Sequence, residues 1–490
     1  MSVLIRFGAI YKAHNFVFWG IFFLFTLGLS FESLGQFTTI LEGKISPASP
    51  YQFVVEYQYQ YLTYQPKRQL LTTNEKGEFS FSIPLEKSTW VIWKCQDKQG
   101  QVYLHVGDSL NMQLNFGTSG YEAKFSGLGA TENNFLWKWE NEFGDASKNA
   151  LYPKKYKNSK EKNFKNEVEK LQKSQYKLLE ETIGKQPLSD DFILALEHRI
   201  AYENANHLAE YPILHAHLNN KTPENLSSSY YSFFEDVIIQ SPSALSQPSY
   251  LRFLRNYLEF RYVKYHNENY LKAYSDLYYP ILFEITEKEL QGSVQAHAQA
   301  LLVIELIEQG NEKLYKKYYK KYSSTHKKDN SALIVEEFLK NSQKLKIGKL
   351  APNFLLQDVT GKNVRLSDYK GKVVYLFFSS PKNEFRETYL EGFEYLNNQF
   401  TQTQSVSKQV VFLWIETEKL TLLSDKTVED KFKAFNIIRL PCYFSDTLEY
   451  NLNKLPVAFL IDKKGKLAYS VTKLPSEAGL LEDINYLLRE

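Results

Sequence analysis

Between residues 37 and 127 apolar and polar positions alternate in short runs, the period of a half-buried β-strand. The clearest is Glu78-Phe79-Ser80-Phe81-Ser82-Ile83, in which Phe79, Phe81 and Ile83 share one face. Runs rich in β-branched and aromatic residues at 38–45, 51–62, 89–95, 101–106 and 110–116 predict further strands. Turn-forming clusters separate them at Pro47-Ala48-Ser49-Pro50, Asn74-Glu75-Lys76-Gly77 and Asp97-Lys98-Gln99-Gly100. Several short strands at this spacing predict a small β-sandwich.

From about 130 to 345 the pattern takes the helical period. Phe192, Ala195, Leu196, Arg199, Ile200 and Glu203 follow a 3–4 spacing, with Ile193 and Leu194 widening the apolar side. Leu301, Leu302, Ile304, Leu306 and Ile307 predict a second apolar helix. Tyr315, Tyr318, Tyr319 and Tyr322 lie at i, i+3, i+4 and i+7 in a lysine-rich run. That spacing predicts a tyrosine-faced helix flanked by lysine stems rather than a base-stacking surface. The basic run from Lys154 to Lys165 reads as a solvated face, and Asp190-Asp191 as a helix start. Pro212, Pro223, Pro242, Pro248 and Pro280 punctuate the region, and no repeat register holds through it.

From 346 to 490 strand and helix patterns alternate. Strands are predicted at 373–378, 410–416, 455–462 and 466–472, with a turn at Lys463-Lys464-Gly465. Helices are predicted at 381–400, 428–435 and 478–488. This order fits a mixed central sheet. The reading is thus multidomain: a β-sandwich over 37–127, an α-helical domain over 130–345 and an α/β domain over 346–490.

Composition changes this picture little. The 490 residues are 43% hydrophobic and 23% charged, so real cores can form. A net charge of +3 argues against a dedicated nucleic-acid binder. The first 35 residues read as an export signal. Arg6 and Lys12 precede an apolar run from Phe16 to Leu29, and Ser33-Leu34-Gly35 places cleavage before Gln36. The mature chain is then expected outside the cytoplasm, in the periplasm or cell envelope, with no stable membrane span. Only two cysteines, Cys95 and Cys442, enter that oxidising space. The histidines, including His198, His207 and the pair His215-Ala216-His217, show no metal-ligand pattern. No metal or cofactor is expected.

Three stretches carry a family resemblance. Ile347-Gly348-Lys349-Leu350-Ala351-Pro352-Asn353-Phe354 leads to Gly361-Lys362-Asn363-Val364-Arg365-Leu366-Ser367-Asp368, then to Gly371-Lys372-Val373-Val374-Tyr375-Leu376-Phe377-Phe378-Ser379-Ser380. Together they resemble the opening of the TlpA-like branch of the thioredoxin superfamily, extracytoplasmic thiol–disulfide oxidoreductases related to peroxiredoxins. Leu455-Pro456-Val457-Ala458-Phe459-Leu460-Ile461-Asp462, followed by Gly465, resembles that family's Pro-x-x-Phe-Leu-Ile-Asp motif. In the sandwich, Val106-Gly107-Asp108-Ser109-Leu110 and Phe125-Ser126-Gly127-Leu128-Gly129-Ala130, with Asn133 and Leu136, resemble the β-domain that often precedes TlpA-like domains in Bacteroidetes-type envelope proteins.

The resemblance implies a thioredoxin-like fold, a role in cell redox homeostasis, and a Cys-x-x-Cys at a helix start beside a cis-proline. Ser380 can cap that helix and Pro381 suits its first position. The resemblance also implies a cis Leu455–Pro456 bond and matches Arg386 to an arginine that commonly follows the motif. At the dithiol positions, however, stand Lys382 and Phe385, within Lys382-Asn383-Glu384-Phe385. The peroxiredoxin pattern fails as well, with Phe385 where threonine is needed and Thr388 where the peroxidatic cysteine is needed. Cys442 is the one thiol of this region and falls where the family has an apolar strand residue.

Two functional expectations follow. In one, the dithiol site is degenerate, and Ser380, Pro381, Lys382, Phe385, Leu455 and Pro456 form a surface that binds an extended peptide or envelope protein. In the other, the chain serves a thiol–disulfide system through Cys442 or a partner.

Overall fold

A computed structural model of the chain describes residues 38–59, 62, 66–96, 98–118, 120–144, 147, 150–223, 226–266, 277–309, 311–380, 386–401, 409–417, 426–442, 449–450, 452, 455–469 and 472–489. The expected signal segment and its cleavage point before Gln36 lie outside these residues.

The N-terminal region is sheet-rich. Its strands are β1 (Thr39–Ser46), β2 (Gln52–Tyr57), β3 (Lys67–Thr72), β4 (Glu78–Ile83), β5 (Thr89–Cys95), β6 (Lys98–Leu104), β7 (Ser109–Phe116) and β8 (Tyr121–Gly127). They form two four-stranded sheets, ordered β4-β1-β7-β8 and β3-β2-β5-β6. Phe53, Phe79, Phe81, Trp93, Leu110 and Met112 fill the space between them. The alternation read in β4 is realised, with Phe79, Phe81 and Ile83 buried and the residues between them exposed. A Cβ on Gly43 of β1 would stand 1.8 Å from the Met112 carbonyl of β7, so glycine permits that strand approach.

Three details depart from the sequence reading. Strand β2 ends at Tyr57 rather than Leu62. Of the turn expected over 97–100, Lys98 to Gly100 already belong to β6, with Lys98 paired to Cys95, and Gln96 adopts φ 55°. Strands β3 and β8 carry no clear apolar alternation and were not foreseen. Polar chemistry holds β3, where Arg68 Nε donates to the buried Glu56 at 2.8 Å. Lys94 Nζ reaches the other oxygen of Glu56 at 2.8 Å.

The middle region is helical: α1 (Ala130–Phe143), α2 (Lys154–Asn158), α3 (Glu161–Ile183), α4 (Asp190–Leu218), α5 (Phe233–Asp236), α6 (Pro248–His266), α7 (Tyr278–Glu289), α8 (Gly292–Glu308), α9 (Glu312–His326) and α10 (Asn330–Lys344). Helix α4 begins at Asp190-Asp191, and its N-cap Ser189 accepts from the Phe192 amide. Tyr315, Tyr318 and Tyr322 of α9 are buried, as their spacing requires. Two readings need correction. Pro212 lies inside α4 instead of ending it. Lys165 is not merely a solvated charge, since its Nζ donates to the carbonyls of Ser229 and Tyr230 and to Ser232 Oγ, each at 3.0 Å.

The sandwich and the helices share an aromatic core in which Trp90 and Tyr103 pack with Phe135, Trp139, Phe192 and Leu196. Polar contacts fix its register. Trp90 Nε1 donates to Gln247 Oε1 at 3.1 Å, and the Asn133 side chain makes two 2.8 Å bonds to the backbone of Tyr103.

The C-terminal region opens with a hairpin, β9 (Leu355–Gln357) and β10 (Asn363–Arg365). Next come β11 (Val373–Ser379), α11 (Arg386–Thr401), β12 (Val410–Thr417), α12 (Lys426–Ala434), β13 (Ile437–Cys442), β14 (Val457–Ile461) and α13 (Leu480–Arg489). The sheet runs β13-β12-β11-β14, with β11, β12 and β13 parallel and β14 antiparallel. Strand β11 is buried on both faces: Tyr375 and Phe377 enter one core, while Leu376 and Phe378 enter the other. Helix α10 feeds directly into this region, since Leu345 lies in the second core.

Among its described residues, the strand expected at 466–472 pairs only by isolated bridges, Leu350–Lys466, Ile461–Leu467 and Ala458–Thr472. The backbone of Leu467 is engaged elsewhere, donating to Lys349 and accepting from Gly348, both at 2.8 Å. The edge strand β13 was not foreseen. It interrupts apolar residues with Arg439 and includes Pro441, which an edge position tolerates. Among the described residues no helix is long and apolar enough to cross a membrane.

Candidate functional site

Parallel strands of an α/β sheet end where ligands usually bind, outside their carboxyl ends. Here β11 ends at Ser379, which is fully buried, and Ser380 follows. Strand β14 pairs with β11 so that Val457 faces Phe378. Ser379-Ser380 and Leu455-Pro456 therefore emerge side by side at this edge, and the Leu455–Pro456 bond is cis. The structure thus brings together three of the six proposed binding residues, Ser380, Leu455 and Pro456. Pro381, Lys382 and Phe385 lie outside the described residues.

Behind the edge lies a charge cluster that the sequence reading missed. Glu416, at the end of β12, is fully buried and sits opposite Ser379 in register. Its Oε1 accepts from Arg386 Nη2 at 2.5 Å. Its Oε2 accepts from Arg439 Nε at 2.8 Å and lies 2.7 Å from Arg439 Nη2. Arg439 also pairs with Glu429 of α12. The Phe432 ring lies under both guanidinium groups, 5.8 Å from Arg386 and 5.3 Å from Arg439. Arg386 is the first residue of α11, so the cluster ties the start of that helix to β12, β13 and α12. With both oxygens held by arginines, Glu416 serves as their counter-ion. The available signal was a charged residue at each of two places where an apolar strand should continue, after Ile415 and after Ile438.

Cys442 ends β13, one strand removed from β11, and is 3% exposed. It packs in the core with Phe378, Leu413, Ile415 and Tyr450. The Tyr450 hydroxyl donates to the Pro352 carbonyl at 2.7 Å, and burial pushes its pKa far up. Cys95 lies in the sandwich core, so the two cysteines occupy separate cores. Two histidines of α4, His207 and His215, bond to Tyr156. His207 Nδ1 is 2.8 Å from the Tyr156 hydroxyl, and His215 Nδ1 donates to the Tyr156 carbonyl at 2.8 Å. Among the described residues no three metal-ligating side chains converge.

This geometry defines the class, a thioredoxin-like domain. Residues 347–470 match the AhpC/TSA family, which places a thioredoxin-fold domain of that family at the carboxyl end of the chain. Among individual relatives, the chain is similar to "Thiol-disulfide oxidoreductase ResA" of Bacillus subtilis, 28% identical over 144 residues. That alignment covers 29% of this chain and 75% of the relative. The ResA of Geobacillus kaustophilus is 28% identical over 139 residues, covering 28% of this chain and 76% of that protein. Among solved structures, a putative thiol-disulfide oxidoreductase from Bacteroides vulgatus matches at 22% identity and TM-score 0.24. It covers 29% of this chain and 98% of that one. A putative thiol:disulfide interchange protein DsbE from Chlorobium tepidum matches at 22% identity and TM-score 0.23, covering 29% and 98%.

Proposed function

We propose that this is an exported envelope protein whose thioredoxin-like domain has lost dithiol chemistry and acts as a binding or structural module. One observation carries the reading: the whole sequence contains two cysteines, and the segment after Ser380 reads Pro-Lys-Asn-Glu-Phe. Thiol–disulfide exchange requires a thiolate that can reach the substrate sulfur. Cys442 is buried in a core, and burial in apolar surroundings disfavours the thiolate. The edge formed by Ser380 and the Leu455–Pro456 pair, together with Pro381, Lys382 and Phe385, is the surface assigned to an extended peptide. Export rests on the Arg6/Lys12 flank, the apolar run and Ser33-Leu34-Gly35.

Likeness to proteins named thiol–disulfide oxidoreductases favours a second reading, a component of a thiol–disulfide system acting through Cys442 or a partner. Insulin reduction and thiol-dependent peroxide consumption by the purified mature chain separate the two. Neither activity is expected. Activity that disappears with Cys442→Ala would establish the second reading and refute the first.

A further inference from the structure

A cavity in the helical region lies between α6 and the segment 226–239. Its volume is about 500 Å³, within the range of small-molecule sites. Leu226, Tyr231, Phe234, Val237, Ile239 and Phe260 give it an apolar lining. Its floor is ordered by ring packing: Phe234 stacks on Phe260 at 4.4 Å, and Tyr231 meets Phe260 at 5.0 Å. Apolar rings that face open space forgo dispersion contacts, which an apolar ligand would restore.

Polar groups occur at particular places on the rim. Arg261 and Lys264 project from one turn of α6. Arg261 is held by Glu289, to which the Tyr257 hydroxyl also donates. Lys264 is exposed, its ammonium stands 5.7 Å from the Phe260 centroid, and it joins no ion pair among the described residues. Among the lining residues, Ser232 accepts at Oγ from Lys165 Nζ at 3.0 Å. Glu235 is the lining carboxylate and is exposed.

We propose that this cavity binds an amphipathic carboxylate, a hydrocarbon body carrying one anionic head. The body lies over Tyr231, Phe234 and Phe260, and the head meets the Lys264 ammonium at the α6 rim. Electrostatic complementarity of this kind selects the head group more than it sets overall affinity. The apolar wall supplies the affinity.

The test is calorimetric titration of the full mature chain with decanoate, decanol and decylamine, which share one hydrocarbon body and differ in head group. Decanoate is expected to bind most tightly and decylamine least. Lys264→Glu, at an exposed position that leaves packing untouched, should weaken decanoate by roughly tenfold and leave decanol unchanged. Val237→Trp, which fills the cavity, should abolish decanoate and decanol binding together. Far-UV circular dichroism and melting of each variant confirm the fold. The proposal is overturned if wild type gives no decanoate binding, if decylamine binds as tightly, or if decanoate affinity is unchanged in both variants.

Discussion

Replacing Glu416 by Gln tests whether the charge cluster under the β11 edge holds the start of α11. The substitution keeps the shape and removes one buried negative charge. Two unit charges 4 Å apart interact by about 4 kcal/mol at an effective dielectric constant of 20. Glu416 has such an interaction with each of two arginines, at contact distances of 2.5 to 2.8 Å. The arginines do not suffer equally. The Arg386 side chain is 18% exposed and can turn toward water, whereas that of Arg439 is 3% exposed and keeps only Glu429 as a named counter-charge. Removing one partner of a buried pair typically costs about 3 to 5 kcal/mol. With Arg386 partly relieved, the lower end of that range is expected, about 3 kcal/mol. Urea unfolding followed by Trp414 fluorescence is the assay, because Trp414 is fully buried on the same strand and packs 5.1 Å from Phe432. A loss below about 1 kcal/mol would show that the cluster is solvated in solution, and the argument that it anchors α11 would fail. Replacing Glu416, Glu429, Arg386 and Arg439 together by Leu, Gln, Met and Met should recover most of the loss, because none of the four charges of the cluster is then left stranded.

Three further outcomes are expected. Lys382→Cys with Phe385→Cys, in a chain with Cys95 and Cys442 replaced by Ser, should form a local, reducible disulfide, read by thiol counting before and after mild reductant; a folded variant with two persistent thiols would show that these are not the dithiol positions. Acid should destabilise the helical region through His207 and His297, whose pKa values burial depresses from 6.5 to about 4, with Arg252 adding to the effect at His207 and Asp329 opposing it at His297. Because the unfolded chain then binds protons that the native state refuses, stability is complete above about pH 6.5 and falls toward pH 4, by about 3 kcal/mol for each histidine. His297→Gln should flatten that pH dependence in urea titrations at pH 7.5 and 4.5, and a slope equal to wild type would refute the assignment. N-terminal sequencing of the exported protein should begin at Gln36, and a membrane-bound chain retaining Met1 would disprove cleavage.

The sequence by itself determined the three-part order, because each part has its own hydrophobic period. Alternation in Glu78–Ile83, 3–4 spacing in Phe192–Glu203 and a two-faced apolar run in Val373–Phe378 all became the elements they predicted. Local chemistry also marked the Asp190-Asp191 helix start, and the family resemblance marked the Leu455–Pro456 motif. That no cysteine lies between Cys95 and Cys442 is read directly from the sequence. Strands β3, β8 and β13 were hidden because pairing across the sheet, rather than their own apolar pattern, makes them strands. Pro212 was misread because tertiary packing carries α4 past a residue that a local rule takes as a stop. The Glu416 cluster joins residues 30 and 23 positions apart, and the cavity between α6 and 226–239 exists only where separate segments meet. Such contacts depend on which faces the fold brings together, and no one-dimensional period encodes that.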